Sequence, residues 1–368
     1  MMKPFKYGCV VSGDNFCPRP ELEKQLQEFA AAGQNLVIHG ARRMGKTSLV
    51  KHAIGGMRGM RMIYIDLYYI KSLRDFCART MKGIAKASAG LPFLKRALQF
   101  AFRLRPALAI DPRDGSTTIT VDSAAASEPD SLGAVMGTLE KLASERRTCV
   151  VFDEFQDILK LDNAMGVLAE MRGAIQFQEN TPYFFTGSIR NDMMRIFDDM
   201  DSPFYKSALP FAVEAINPGA FGRFIAKRFK DGDRKIAPPA ISRILDFADG
   251  VSGDVQELCE ALWETTEAGD EINADRFPAA FDLVFSRELG GYETIVERLT
   301  PAQMTVLRAL AESPDASVYS HAFSARVGLS ASSVQRTMRK LTSVRLVCVR
   351  QGTCRFSNPF FREWLLTQ

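Results

Sequence analysis

The chain has 368 residues, 46% hydrophobic and 24% charged, ordinary for a globular protein with two or three cores, and no apolar run approaches the ~18 residues that cross a bilayer. Seven scattered cysteines without a Cys-x-x-Cys pair, and only three histidines (His39, His52, His321), argue against a disulfide framework, a zinc cluster or a His-based triad; with no signal-like apolar start, a cytoplasmic protein is expected. The net charge of +4 is unevenly placed: residues 301–368 hold nine Lys/Arg against Glu312, Asp315 and Glu363, a local +6, and the rest of the chain totals −2.

In chain order, apolar runs of β type alternate with helical stretches over the first 215 or so residues, the pattern of a parallel sheet with crossover helices. The runs are Leu36–His39, Met62–Leu67, Cys149–Phe152, Tyr183–Thr186 and Leu209–Val213. Between the second and third, Phe76–Arg103 reads as helical, with Lys95, Arg96, Arg103 and Arg105 on its surface and Phe100 and Phe102 inward. Pro106–Pro129 reads as an inserted loop with a strand at Thr117–Val121. From Pro218 the pattern is helical, with further helices at Pro239–Ala248, Asp254–Glu267 and Asp275–Glu288. In the last 70 residues Thr300-Pro301 opens a helix, and a second near Ser320–Val327 stops at Gly328. Ser330 caps a third, Ala331–Val344, and Leu346–Ser357 suggests a hairpin, together a winged helix-turn-helix. Phe360, Phe361 and Trp364 are placed to anchor a closing helix.

Gly40-Ala41-Arg42-Arg43-Met44-Gly45-Lys46-Thr47 fits G-x-x-x-x-G-K-[ST] at every fixed position, with an apolar strand before it and a helix after. Glycines let backbone N–H groups turn inward around phosphates at the positive end of a helix. Lys46 then supplies a cation between the β- and γ-phosphates, and the Thr47 hydroxyl is a magnesium ligand. Thr148–Glu154 supplies the second half: Asp153 ends a strand where it can hold magnesium through water, and Glu154 can orient and deprotonate the attacking water. The next strand ends in Thr186-Gly187-Ser188, so Ser188 or Thr186 would face the γ-phosphate; a hydroxyl capping the following helix is the alternative. Arg190 and Arg195 are either arginine fingers or surface residues.

These segments resemble the archaeal-type ATPases of the STAND/AAA+ group. Phe16-Cys17-Pro18-Arg19-Pro20-Glu21-Leu22 is similar to the family's "F-x-x-R-x-x-E-L", although only one residue separates Arg19 from Glu21. Gly40–Leu49, with Ser48, resembles "G-x-R-R-x-G-K-T-S-L"; Asp153-Glu154-Phe155-Gln156 resembles "DEFQ", and Thr186-Gly187-Ser188 resembles "TGS". Gly250–Cys259 resembles the lid segment but has Asp254-Val255 where proline is common, and Phe356–Leu365 resembles the closing "I-x-D-P-x-F-x-x-W-L", with Asn358 for the acid.

The resemblance and the pattern together imply an α/β fold: a five-stranded parallel P-loop NTPase sheet of AAA+/STAND type over 1–216 with an insertion at about 104–130. A helical lid over 217–298 and a winged helix over 299–368 complete it. ATP with Mg2+ is the expected ligand, held by residues 40–48 and by Arg19, which the resemblance sets against the base. No guanine-reading Asn/Thr-Lys-x-Asp is present, and the Asp153-Glu154 pair disfavours a kinase-like transferase. The expected cycle closes the lid on ATP and releases it on slow or partner-stimulated hydrolysis, moving the winged helix. A protein partner or a second copy is one expected target. Duplex DNA is the other, met by Ser333, Gln335, Arg336, Arg339 and Lys340 of the third helix and Arg350 of the wing; packing as a regulatory clamp, with that basic face solvated, is the alternative.

Overall fold

The computed structural model describes residues 4–88, 106–110, 117–121, 128–188, 190–350 and 353–368, so the expected helical stretch 89–103 and the wing residue Gln351 lie outside the described residues. Contacts divide the chain into two units, Val10–Ala215 and Met1–Cys9 with Ile216–Gln368.

The strands of the first unit are β1 (Leu36–His39), β2 (Arg61–Asp66), β3 (Pro106–Ile110), β4 (Thr117–Val121), β5 (Thr148–Asp153), β6 (Tyr183–Gly187) and β7 (Leu209–Ala212). Five of them make one parallel sheet in the order β2-β5-β6-β1-β7. β5 and β6 are buried along their whole length, which is why both are written as unbroken apolar runs. β7 is an edge strand with Pro210 inside it, tolerated because an edge needs no N–H on its outer side. Phe76, Phe152, Phe155, Tyr183 and Phe185 stack through the core on one side of this sheet.

The inserted segment is more regular than a loop. Pro106–Ile110 is a strand, pairing antiparallel with the expected Thr117–Val121 through Ala107↔Thr120 and Leu108↔Ile119. A helix, Glu128–Glu145, then leads into β5. The helix expected from Phe76 runs over Leu73–Ala87, started by the Ser72 side chain accepting from the Asp75 amide.

The second unit joins the helices expected to form the lid, the winged helix and residues 4–9. Phe5 is buried against Phe229 and Trp263, with ring centroids 4.8 and 6.4 Å away, and Arg228 Nε donates to the Pro4 carbonyl at 3.1 Å. Lid helices cover Pro218–Lys230, Pro238–Phe247, Ser252–Glu264 and Phe277–Glu297, with a short parallel pair β8 (Lys235–Ile236) and β9 (Glu271–Ile272). The third ends at Glu264, short of the expected Glu267. The fourth does not stop at Glu288: it continues through Gly290-Gly291 because Tyr292, buried in its last turns, packs on Phe361 and Trp364. The winged helix follows as Pro301–Glu312, His321–Val327, Ala331–Ser343, the hairpin β10 (Val347–Arg350) and β11 (Thr353–Phe356), and the closing helix Pro359–Leu366. Thr300 and Gln303 form a reciprocal capping box, and Gly328 ends the second helix at φ +64°. No described helix is long and apolar enough to cross a membrane.

Candidate functional site

β1, β5 and β6 are neighbours and run parallel, so their carboxyl ends deliver His39-Gly40, Asp153-Glu154 and Gly187-Ser188 to one edge of the sheet. The loop after β1 turns at Gly45, whose φ of +76° favours glycine, and enters the helix Lys46–Gly55. Gly40 is required for closeness: a Cβ there would sit 2.6 Å from the Val213 carbonyl oxygen.

Lys46 is buried and its Nζ donates to the carbonyls of Gly40 and Ala41 at 3.0 and 2.9 Å. Burial lowers its pKa, and the charges of Glu154 and Asp153 oppose that shift. The Thr47 hydroxyl donates to Asp153 Oδ2 at 2.7 Å, so the residues expected to share a metal are in contact. Asp153 takes three further donors: the Tyr64 phenol on Oδ2 at 2.6 Å, and on Oδ1 the Glu154 amide at 3.1 Å and the Thr186 hydroxyl. Burial first, then the Asp153 charge, holds the Tyr64 phenol well above its usual pKa, so it remains a donor.

Glu154 sits in the left-handed region at φ +52°, unusual for a side-chain-bearing residue. Its Oε2 accepts from Gln156 Nε2 at 2.5 Å and from Ser188 Oγ at 2.9 Å. The two hydroxyls expected to face the γ-phosphate therefore divide the acids: Thr186 serves Asp153, and Ser188 serves Glu154. Gln156 is 3% exposed and its Oε1 has no hydrogen-bond partner among the described residues, so the amide is aimed by Glu154 alone.

A nucleotide with magnesium fits this donor set. Hard oxygen ligands converge at a helix N-terminus, and no group of three or more His, Cys, Asp or Glu ligands occurs among the described residues. Such a site suits an ion that keeps waters and phosphate oxygens around one carboxylate.

Of solved structures, the Walker-type ATPase PABY2304 of Pyrococcus abyssi superposes with TM-score 0.63 at 18% identity, over 96% of this chain and 97% of that one. The Aeropyrum pernix ORC2 protein in its ADPNP-ADP complexes gives TM-score 0.54 at 15% identity, over 99% and 98%. The same protein in its ADP form gives 0.50 at 15% identity, over 99% and 98%. A family model described as "Probable winged helix domain" matches residues 290–367. The fold is that of an AAA+ P-loop ATPase ending in a winged helix. A search of curated proteins gives no match.

Within this P-loop ATPase fold the remaining site candidates separate. Arg19 is buried, and its guanidinium donates to the carbonyls of Met44 at 2.7 Å and Glu214 at 3.3 Å, bracing the phosphate loop by its backbone. Burial lowers its pKa to about 10, so it stays charged at neutral pH. Nearby, Phe16 stacks on His52 at 4.3 Å and the Val11 amide donates to Ser48 Oγ at 3.0 Å. Of the loop residues, Met44 is buried, while Ala41, Arg42 and Arg43 are exposed. Arg195 is exposed on the short helix Arg190–Phe197, whose inner face is Met193, Ile196 and Phe197.

In the winged helix the acids are used up. Glu312 pairs with Arg326, Asp315 with Arg355, and Glu363 with Arg362. On the third helix Gln335, Arg336, Arg339 and Lys340 are exposed, and none of the three cations has an acidic partner among the described residues. Ser333 departs from that face: it is half-buried and bonded to the capping Ser330, its amide and hydroxyl both engaged. Arg350 ends β10.

The signal for Tyr64 and Gln156 was faint. Gln156 belongs to a recognised motif without a role attached, and Tyr64 is one aromatic on an apolar strand.

Proposed function

We propose that the chain is an ATP-binding and ATP-hydrolysing switch, whose nucleotide state repositions the lid helices and winged helix. The observation that carries this is the contact of Thr47 with Asp153, beside a Glu154 held by two donors. Residues 40–48 cradle the phosphates with backbone N–H groups, and Lys46 exchanges its loop carbonyls for phosphate oxygens, which are stronger acceptors. Magnesium, held by Thr47 and Asp153, supplies charge neutralisation on the phosphates. Gln156 and Ser188 bind one oxygen of Glu154, leaving Oε1 to orient a water and take its proton. Arg19 acts by bracing the loop at Met44. The ADP and ADPNP complexes of the Aeropyrum protein favour an adenine nucleotide in a fold of this kind.

The uncompensated cations of Arg336, Arg339 and Lys340 support a second reading, in which the winged helix grips duplex DNA and couples it to turnover. A protein partner or a second copy is the target if DNA has no effect. The experiment is ATP turnover with and without duplex DNA, with Glu154→Gln as control. Glu154→Gln is expected to cut turnover by about 100-fold or more while sparing ATP affinity. Equal turnover in that variant would remove Glu154 from the mechanism, and stimulation by DNA would select the second reading.

A further inference from the structure

Tyr64 lies on β2, outside every motif of the sequence, and it reaches the centre of the site. In register it stands opposite Val151, two residues before the pair Asp66↔Asp153, so its side chain leans along the sheet toward the strand end. There its hydroxyl shares Asp153 Oδ2 with Thr47, at 2.6 and 2.7 Å. The ring is steadied from the helix that bears Thr47: Lys51 Nζ lies 3.5 Å from its centroid. The other oxygen of the carboxylate is held by the Thr186 hydroxyl and the Glu154 amide.

Those donors are not equivalent. Thr47 is itself a metal ligand in the reading above: a lone pair of its oxygen goes to the cation while its O–H can remain on Asp153, so its place is set by the metal as well as by the carboxylate. The Glu154 amide is main chain and belongs to any residue at that position. Tyr64 and Thr186 are the side chains that hold the carboxylate without also binding magnesium. A carboxylate fixed by one donor on each oxygen keeps its direction, and outer partners of this kind raise metal affinity by about 10- to 100-fold.

We propose that Tyr64, with Thr186 on the opposite oxygen, is a positioning residue that orients Asp153 for magnesium in the nucleotide complex. The proposal rests on the ATP–magnesium reading of this site. Tyr64→Phe keeps the ring and the Lys51 contact and removes only the hydroxyl. Binding of a fluorescent ATP analogue to the full chain is followed while magnesium is titrated, alongside affinity in EDTA and the thermal midpoint.

The expected result is a half-saturating magnesium concentration raised about tenfold or more, with affinity in EDTA and thermal midpoint unchanged. A magnesium dependence equal to that of the wild-type protein overturns the proposal. So does an equal loss with and without magnesium, which would assign Tyr64 to packing. Should Tyr64→Phe fail to fold, Thr186→Val takes the donor from the other oxygen, and an unshifted magnesium dependence there overturns it likewise. A wild-type protein that binds no nucleotide overturns the parent reading and this one together. A wild-type protein that binds it with magnesium, beside an unshifted Tyr64→Phe, overturns only the role of Tyr64.

Discussion

Arg19 carries its charge inside the first unit with backbone carbonyls as hydrogen-bond partners, and its Nε makes no hydrogen bond among the described residues. The energy of that arrangement lies in the loop it braces, since Met44 would otherwise keep a buried carbonyl without its charged donor. Arg19→Met, similar in volume but without donors, is expected to lower stability by about 2 kcal/mol in urea unfolding and to weaken ATP binding. Unchanged stability with weakened binding would put the guanidinium on the nucleotide instead. Gly45, Lys46, Thr47 and Asp153 were legible because phosphate and magnesium chemistry fixes residue type and spacing together. Tyr64 was not, because its partner Asp153 lies 89 residues away and only the register of β2 on β5 joins them.

The strands buried along their whole length, β5 and β6, were the elements written most plainly; β2, which opens on Arg61, and the edge strand β7, with Pro210 inside it, were written less so. Pro106–Ile110 was hidden because Pro-Ala-Leu-Ala-Ile has weak β propensity; pairing with the β-branched Thr117–Val121 makes it a strand. The helix Phe277–Glu297 was cut short for the opposite reason: Gly290-Gly291 is a local stop signal overruled by the packing of Tyr292. Both glycines therefore cost helix stability without filling a steric need. A Cβ at Gly290 meets nothing within 4 Å, and at Gly291 its nearest neighbour is the Glu288 carboxylate at 3.9 Å. Gly290→Ala and Gly291→Ala are each expected to stabilise the second unit by about 0.5–1 kcal/mol, read from urea midpoints. A loss of stability in either would mean that the bare backbone there meets a partner.

Across the whole molecule the excess of positive charge lies in the winged helix, where three of the six cations left over once its acids are paired, Arg336, Arg339 and Lys340, stand on one helix. The sequence localised it to residues 301–368 but could not say which cations were spent, because ion pairs such as Arg355–Asp315 join positions 40 residues apart across the wing. With Glu312, Asp315 and Glu363 paired, Arg336, Arg339 and Lys340 stand toward solvent beside Gln335, without an acidic partner among the described residues. Exposed cations without partners contribute little to folding, so their removal should leave the thermal midpoint unmoved. A phosphate backbone gives them a measurable effect. Each phosphate contact releases counterions and steepens the dependence of log affinity on log salt by about 0.9. If the third helix lies along duplex DNA, Arg339→Ala with Lys340→Ala should lower that slope by about two, weakening binding to different duplexes alike. A slope that the double variant leaves unchanged would take this face off DNA, and a stimulating protein partner would then be sought against the same cations, its own surface expected to be acidic.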